Sequence, residues 1–170
     1  FSTPVIEEEP KEKIPMIPIM KFNKSDELKI LKTVCEEVKL FDSFLEGQAN
    51  ELLEAMRGNR CYGVAAPQIG YSIRMICLNA VPGKEPLIMV NPEILESSGR
   101  IKFEEMCLSF PGLAVKTKRK AVVKVRYRNL KGEINVYQSY DATEAVCIQH
   151  EINHLDGILL SDQGAMYRAK

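Results

Sequence analysis

Residues 149–157 read QHEINHLDG, and the rest of the chain is best interpreted around them. They contain both histidines of the sequence, His150 and His154, four positions apart. Residues i and i+4 lie on one face of a helix, so both imidazoles can reach one metal ion. Glu151 is rotated by about 100° from His150, which places its carboxylate beside the metal, where a proton-transferring group is needed. The segment predicts a helix with an H-E-x-x-H metal site.

Chance is a weak explanation for this pattern. Two histidines and a glutamate placed at random in a chain of this length would form H-E-x-x-H roughly once in 800 cases. The competing interpretation is a pair of histidines satisfied inside a helix, with Glu151 on a solvated face. The rarity of the spacing favours the metal site.

A catalytic metal site needs a third protein ligand and keeps one position open for water. The sequence has no third histidine, so a thiolate from upstream is the best candidate. Cys107 stands out because it lies between predicted strands, where its side chain can face the helix. Cys35 and Cys77 have apolar neighbours and are predicted to be buried structural residues. Cys147 lies on the helix face of His150 and is predicted to line the site without binding the metal.

Length and composition indicate one catalytic domain. The chain has 170 residues, enough to bury a core of its own. Prolines crowd residues 1–20, which are predicted to form an extended Pro-rich arm, and residues 21–170 are predicted to form a single domain. Five widely spaced cysteines argue against a disulfide scaffold and indicate a reducing compartment.

Charge and hydropathy exclude two classes of partner. Lys+Arg and Asp+Glu number 23 each, so the net charge is zero. A dedicated nucleic-acid-binding protein normally has a basic excess, and we expect no such function here. The sequence contains no run of 18 apolar residues, so we also expect no membrane-spanning segment.

Hydrophobic periodicity predicts helices, then strands, then a final helix. The predicted helices cover residues 25–31, 41–57 (ending at Gly58) and 142–155. The predicted strands cover residues 73–78, 87–94, 101–103, 122–127 and 134–138, with a hairpin turn at 129–132. This order indicates an α+β fold, with mostly antiparallel sheets packed around the C-terminal metal-binding helix.

Three segments, in this order, resemble peptide deformylases. Residues 61–68 read CYGVAAPQ and resemble the family's G-x-G-[LV]-A-A-x-Q segment. Residues 105–109 read EMCLS and resemble E-G-C-L-S, and residues 149–157 resemble Q-H-E-x-D-H-L-x-G. The resemblance extends over about residues 25–163. One such motif would be weak evidence, but three in order with matching spacing are strong evidence.

The resemblance implies a hydrolase acting on a linear amide. The enzyme would remove the formyl group from the N-terminal formyl-methionine of nascent polypeptides and release formate, a step of N-terminal methionine processing in protein biosynthesis. The resemblance also implies one divalent metal ion per chain, natively Fe(II), with Ni, Co or Zn able to substitute. Cys107, His150 and His154 would be its ligands.

The catalytic roles also carry over from the family. Metal-bound hydroxide would attack the formyl carbon, and Glu151 would pass the proton of the water to the leaving amine. Gln68 and the backbone N–H of Leu108 would stabilise the oxyanion. A side-chain amide suits this role because it donates without titrating.

Peptide recognition is expected to use an extended backbone beside a strand and an apolar slot for methionine. The residues predicted to bind the peptide are Tyr62, Gly63, Val64 and Met106 along the edge, and Val146, Cys147, Phe110 and Tyr62 around the methionine side chain. The competing interpretation is that Val146 and Phe110 are core residues only.

Three positions depart from the family pattern. Met106 and Cys61 replace glycines, and each would cost about 1 kcal/mol if the position required a positive φ. Asn153 replaces an aspartate that would be a charged partner close to the metal ligands. Spacing alone suggests Arg119 as the basic group that loses this partner. We expect the chemistry to be retained.

The short C-terminus resembles phage-encoded and some organellar members, because only ten residues follow Leu160. We expect a cytoplasmic location in a bacterium or a phage-infected host, or an organellar stroma or matrix if a leader was removed. The expected partners are formyl-methionyl peptides and nascent chains, with transient ribosome contact. We expect a monomer.

Two other functions compete with this hypothesis. An H-E-x-x-H peptidase would cleave internal peptide bonds and would take its third ligand after the helix. A catalytically silent relative would bind formyl-methionyl peptides without hydrolysing them, but such a binder needs no Glu151. A purely structural metal site is disfavoured because those sites are closed by four protein ligands.

Overall fold

The computed structural model of the chain describes residues 1–2 and 17–170. The elements, in chain order, are α1 (Ser25–Leu31), α2 (Ser43–Asn59), β1 (Gly63–Ala65), β2 (Met75–Leu78), β3 (Leu87–Ser98), β4 (Ile101–Met106), β5 (Leu113–Arg119), β6 (Val122–Arg128), β7 (Ile134–Gln138), α3 (Ala142–Leu155) and β8 (Met166–Arg168). Single 3-10 turns occupy Ala66–Ile69 and Leu160–Asp162. Most of the predicted Pro-rich arm lies outside the described residues.

The strands form two sheets in which all neighbouring strands run antiparallel. The larger sheet has the order β1-β2-β3-β6-β7, and the smaller has the order β4-β5-β8. The fold is therefore α+β with antiparallel sheets and a C-terminal helix, as the sequence predicted. Among the described residues, no helix combines the length and the apolar character needed to cross a membrane.

Strand β2 lies between the two long helices. Its side chains alternate between the faces of the sheet, as strand geometry requires. Ile76 and Leu78 pack in the same cluster as α3, whereas Met75 and Cys77 pack in the same cluster as α2. All four residues of β2 are buried for this reason.

Helix α3 is buried on almost every side, which determines where the functional groups can lie. The Asp141 side chain accepts a hydrogen bond from the Glu144 N–H and caps its first turn. From Glu144 to Leu155, every residue except Asn153 is buried. Polar side chains on this helix are therefore enclosed with the apolar ones, and each needs a partner inside the protein.

The predicted helices agree with the structure better than the predicted strands. Helix α2 begins two residues later than predicted and passes Gly58, because Arg60 adopts the left-handed conformation (φ 51°) that ends it. Strands β1 and β8 were missed because three residues are too few to show a period. Strand β5 was missed because its inward positions include the polar Thr117 and Arg119, which hide its alternation.

A substitution at Gly157 would test how closely the end of α3 approaches the segment after α1. Its φ is +69°, and an added Cβ would lie 2.4 Å from the carbonyl oxygen of Lys32. Gly83 is a matched control, because its φ is +80° but an added Cβ would have no described atom within 4 Å. We expect Gly83→Ala to cost about 1–2 kcal/mol. Gly157→Ala should cost about 1–3 kcal/mol more, because backbone must also move. Urea unfolding measures both, and equal losses would contradict the close approach.

Candidate active site

Three buried side chains of metal-binding type meet beside α3. Cys107 follows the last residue of β4, and His150 and His154 lie on successive turns of the helix. One possible ligand atom from each lies within 4.8 Å of the other two. The Cys107 Sγ is 3.4 Å from the His154 Nε2, and the two imidazole centroids are 5.0 Å apart. The structure thus brings together the three residues that the sequence proposed as ligands.

The hydrogen bonds around this centre suit a divalent metal ion. Within the described part of the chain, the buried Nε2 of His150 has no hydrogen-bond partner. Its Nδ1 donates to the Glu105 Oε1 at 2.8 Å, which leaves the lone pair of Nε2 available for a metal. Burial raises the pKa of the Cys107 thiol, but the imidazoles of His154 and His150 outweigh it and lower the pKa well below its usual range. One thiolate and two imidazoles suit iron, cobalt, nickel or zinc.

Glu105 is a buried carboxylate that joins β4 and β5 to α3. Besides His150, it accepts hydrogen bonds from Arg119, through Nε at 2.8 Å and Nη2 at 2.9 Å, and from the Thr117 hydroxyl. Burial raises the pKa of Glu105, but His150 and Arg119 hold it well below its usual range. Arg119 also donates to the Asn153 Oδ1. Arg119 is thus the basic group that faces position 153, as the spacing suggested, but it does not lose its partner, because the amide of Asn153 and the carboxylate of Glu105 both bind it.

Glu151 is fully buried beside the histidines. One carboxylate oxygen, Oε2, contacts the α-ammonium group of Phe1. Within the described residues, the other oxygen, Oε1, has no hydrogen-bond partner. Burial alone would raise the pKa of Glu151, but the nearby ammonium and both histidines lower it. The Oε1 oxygen of this carboxylate is therefore available to accept a proton.

Gln68 is oriented by contacts at both ends of its amide. Its Oε1 accepts from the Ala65 N–H at 3.0 Å. Its Nε2 donates to the Ser109 hydroxyl at 3.1 Å and lies 3.5 Å from the Cys107 Sγ. The donor end thus faces the metal-binding residues. Ser109 and Glu105 both belong to the EMCLS segment, but no pattern among the neighbouring residues signals their contacts.

Residues 1–2 of this chain lie beside this centre. The Phe1 ammonium donates to the Gly63 carbonyl at 3.2 Å, and the Tyr62 N–H donates to the Phe1 carbonyl at 3.2 Å. The Ser2 N–H donates to the Met106 carbonyl at 2.9 Å. The main-chain groups of residues 62–63 and 106, predicted to form an edge, therefore hydrogen-bond to the main chain of residues 1–2.

The side chains predicted around the methionine slot are divided between two clusters. Val146 and Cys147 pack in the same buried cluster as Phe1 and Tyr62, which extends to Phe103. Phe110 stacks on Phe22 in a separate cluster, so the structure places it away from the slot. Val64, which was predicted on the backbone edge and not in the slot, packs its side chain in the cluster of α2. The structure adds Phe103, which the sequence analysis missed because only packing brings it there.

Comparisons with known proteins identify the family of this chain. A family model described as polypeptide deformylase matches residues 16–169. The chain belongs to the peptide deformylase family. It is 36% identical over 148 residues to a peptide deformylase of Helicobacter pylori (strain Shi470), covering 84% of each chain. It is 38% identical over 135 residues to one of Thermotoga neapolitana, covering 79% of this chain and 80% of the relative.

Solved structures of peptide deformylases share the fold. A crystal structure from Thermotoga maritima has a TM-score of 0.81 at 33% identity, covering 89% of this chain and 99% of that one. A Met-Ala-Ser-bound class I type b peptide deformylase from Acinetobacter baumannii has a TM-score of 0.80 at 31% identity, covering 89% and 99%. This chain is accordingly a metal-dependent hydrolase of the family that removes formyl groups from N-formyl-methionine peptides, and its Cys/His/His group is a possible metal site.

Met106 and Cys61, which stand where the family pattern has glycine, do not strain the backbone. Among the described residues, Arg60 and Asn91 are the non-glycine residues with a positive φ. Met106 and Cys61 are therefore in conformations that any side chain tolerates. The condition under which they would cost about 1 kcal/mol is not met.

We expect restoring glycine at position 106 to leave catalysis unchanged. The Met106 carbonyl, not its side chain, makes the peptide contact. Met106→Gly should keep kcat/KM within about twofold and lose roughly 0.5–1 kcal/mol of stability, as glycine does in a strand. Lys102→Gly, on the same strand, is the control for that loss. A Met106→Gly enzyme with a higher kcat/KM would show that the methionine side chain impairs catalysis.

The low pKa of Glu105 predicts how its contribution to stability depends on pH. Because this pKa lies below the ordinary value of 4.5 in the folded chain, the contribution is complete above about pH 4.5 and is lost as the pH falls toward the folded pKa. In metal-free protein, Glu105→Gln should cost about 3–5 kcal/mol at neutral pH, because it leaves Arg119 buried without its charge partner. The difference from wild type should shrink below about pH 4.5.

Urea titrations at a series of pH values measure this difference. Glu104→Gln is the matched control, because Glu104 is the exposed neighbour of Glu105 on β4. It should change stability little at any pH. A Glu105→Gln difference that stays constant down to pH 3 would contradict the assigned ion pair.

Proposed function

We propose that this chain deformylates nascent polypeptides through a metal held by Cys107, His150 and His154. Glu151 transfers the proton, and Gln68 with the Leu108 backbone N–H stabilises the oxyanion. The observation that carries the proposal is the meeting of three buried ligand-type side chains beside the Gln68 amide and the buried Glu151 carboxylate, one oxygen of which has no partner among the described residues.

The ligand set supports a divalent metal, and we propose Fe(II) natively, with Ni, Co or Zn able to substitute. When bound, such an ion supplies Lewis acidity and lowers the pKa of water to near neutrality. The Glu105 carboxylate supports this role, because it fixes the tautomer and orientation of the His150 imidazole. A thiolate ligand beside ferrous iron also makes the site sensitive to oxygen.

Two oxygens of Glu151 suit two successive proton transfers. The free Oε1 can accept a proton from the attacking water. Oε2, on the same carboxylate, can return the proton to the leaving amine. Both atoms are buried, which keeps the proton from exchanging with bulk solvent.

The oxyanion needs donors that are in place before charge develops. The Gln68 amide meets this requirement, because the Ala65 N–H and the Ser109 hydroxyl hold it at both ends. The Leu108 N–H follows Cys107 directly, and we propose it as the second donor. One such donor is typically worth about 3–4 kcal/mol of transition-state stabilisation.

Peptide binding through backbone groups supports a broad substrate range. Tyr62, Gly63 and Met106 present main-chain groups, which here bind residues 1–2 of the chain, and recognition through such groups depends little on the second side chain of a peptide. We propose that a Met-Ala-Ser product, as in the Acinetobacter baumannii structure, lies along the same edges. The slot beside Tyr62, Val146 and Cys147 would take the methionine.

We also propose where the enzyme meets its substrate. Nascent chains are its partners, and any ribosome contact is transient, since a chain with zero net charge has little general attraction to RNA. The enzyme acts as a monomer in the cytoplasm of a bacterium or a phage-infected host, or in an organellar stroma or matrix.

Formate release from formyl-Met-Ala-Ser tests the function. Protein purified anaerobically with ferrous iron should release formate, and Glu151→Gln with the same measured metal content should be slower by about 10²–10⁴-fold. Gln68→Ala should lower kcat by about 10²–10³-fold. No formate from protein holding one metal per chain would favour the silent, peptide-binding relative. Cleavage of the Met-Ala bond instead would indicate a peptidase.

A further inference from the structure

A short segment before α1 connects the two parts of the proposed oxyanion site. The Met20 N–H donates to the Gln68 carbonyl at 2.7 Å, and the Phe22 N–H donates to the Ser109 carbonyl at 3.0 Å. Gln68 is one of the two proposed donors, and Ser109 directly follows Leu108, which is the other. The segment therefore bridges two stretches of chain that lie 41 positions apart.

Lys21, the middle residue of this segment, directs its ammonium group at the turn that follows β4. The Lys21 Nζ donates to the Leu108 carbonyl at 3.2 Å, and the residue is partly buried. Its backbone N–H donates to the Glu27 Oε1 at 3.3 Å, which fixes the segment against α1. The side chain of Lys21 is thus held close to a residue 87 positions away in the sequence.

The turn after β4 is fixed on every side except the one where a donor is needed. The Phe110 N–H donates to the Cys107 carbonyl at 2.9 Å, and the Phe110 ring stacks on Phe22 with the centroids 4.8 Å apart. Lys21 holds the Leu108 carbonyl. Among the described residues, the Leu108 N–H donates to no protein group, so it is available to an oxyanion.

The ammonium group of Lys21 also interacts with the thiolate of Cys107. Burial lowers the pKa of Lys21, and the negative charge of the Cys107 thiolate offsets part of this effect. The attraction is mutual, so the ammonium stabilises the electrons of the sulfur in turn. A cation beside a thiolate ligand reduces the electron density that the sulfur donates to a bound metal ion.

We propose that Lys21 is a positioning residue of the active site, which orients the Leu108 peptide for oxyanion binding and keeps a positive charge beside the Cys107 thiolate. This inference rests on the proposed function, which assigns the oxyanion to Gln68 and Leu108. Oxyanion donors must be in place before charge develops. The contribution of Lys21 therefore appears in the transition state and not in the binding of substrate.

Steady-state kinetics with formyl-Met-Ala-Ser test the positioning role, with one measured metal ion per chain in every protein. Lys21→Met removes the ammonium but keeps an unbranched side chain, so kcat should fall about five- to tenfold while KM stays within about twofold. Lys21→Arg keeps a charge and N–H donors and should retain at least about half of the parent kcat. An unchanged kcat in Lys21→Met would overturn the proposal.

Lys24→Met is the matched control for these variants. Lys24 lies on the same side of α1, is exposed and pairs with Glu27 at 3.7 Å. Its substitution removes one ammonium group from the same segment without touching the turn after β4. Both kinetic constants should therefore stay unchanged.

The absorption spectrum of cobalt-loaded protein tests the charge without any turnover. A thiolate-to-cobalt charge-transfer band moves to longer wavelength when the sulfur holds its electrons less tightly. Lys21→Met should therefore shift this band to longer wavelength, whereas Lys21→Arg and Lys24→Met should match the parent. A lysine that only stabilised the fold would lower the urea midpoint and leave the band in place. Identical bands in the parent and Lys21→Met would refute the charge role.

The two measurements separate this inference from the proposed function. If the parent protein holds one metal ion per chain and releases no formate, the proposed function fails, and the cobalt spectra still decide whether Lys21 acts on Cys107. If the parent is active and Lys21→Met has the same kcat, the proposed function stands and the role of Lys21 is refuted.

Discussion

The buried carboxylate of Glu105 is the interaction on which the site depends. A carboxylate removed from water is costly unless charged partners and hydrogen bonds surround it, and here Arg119, Thr117 and His150 supply them. Arg119 and Thr117 come from β5, and His150 comes from α3. Cys107 lies two residues after Glu105, so the network that satisfies the carboxylate also brings the thiol to the histidines.

The same reasoning explains why the unsatisfied atoms lie where they do. Burying α3 on nearly all sides forces its polar side chains to find partners inside the protein. Gln149 binds the backbone of Lys120 at both ends of its amide, and Asn153 binds Arg119. Among the described residues, the buried side-chain nitrogen and oxygen atoms left without partners belong to His150, Glu151 and His154. In the part of the chain that the structure describes, these unsatisfied side-chain atoms thus lie where a ligand is expected to complete them.

The sequence was informative where the signal is local. A capping aspartate, a regular apolar period and the H-E-x-x-H spacing determine α3, and these can be read from the residues of one helix. The thiol had to be found by elimination, because the pairing of Cys107 with His154 spans 47 residues. Strand β5 was not predicted for a related reason. Thr117 and Arg119 face inward because they bind Glu105, and the sequence pattern does not indicate that contact. The position of Phe103 beside the buried cluster likewise results from tertiary contacts.

Asn153 shows how the network tolerates a departure from the family pattern. An aspartate at this position would share the guanidinium of Arg119 with Glu105, so one positive charge would face two negative ones. The amide of Asn153 keeps the hydrogen bond but adds no charge, and Arg119 is therefore balanced by Glu105 alone. A carboxylate paired in this way attracts the His150 Nδ1 proton less strongly than one that shares its cation. The substitution thus acts on the electron density of His150 through three successive links, from Asn153 to Arg119, from Arg119 to Glu105 and from Glu105 to His150.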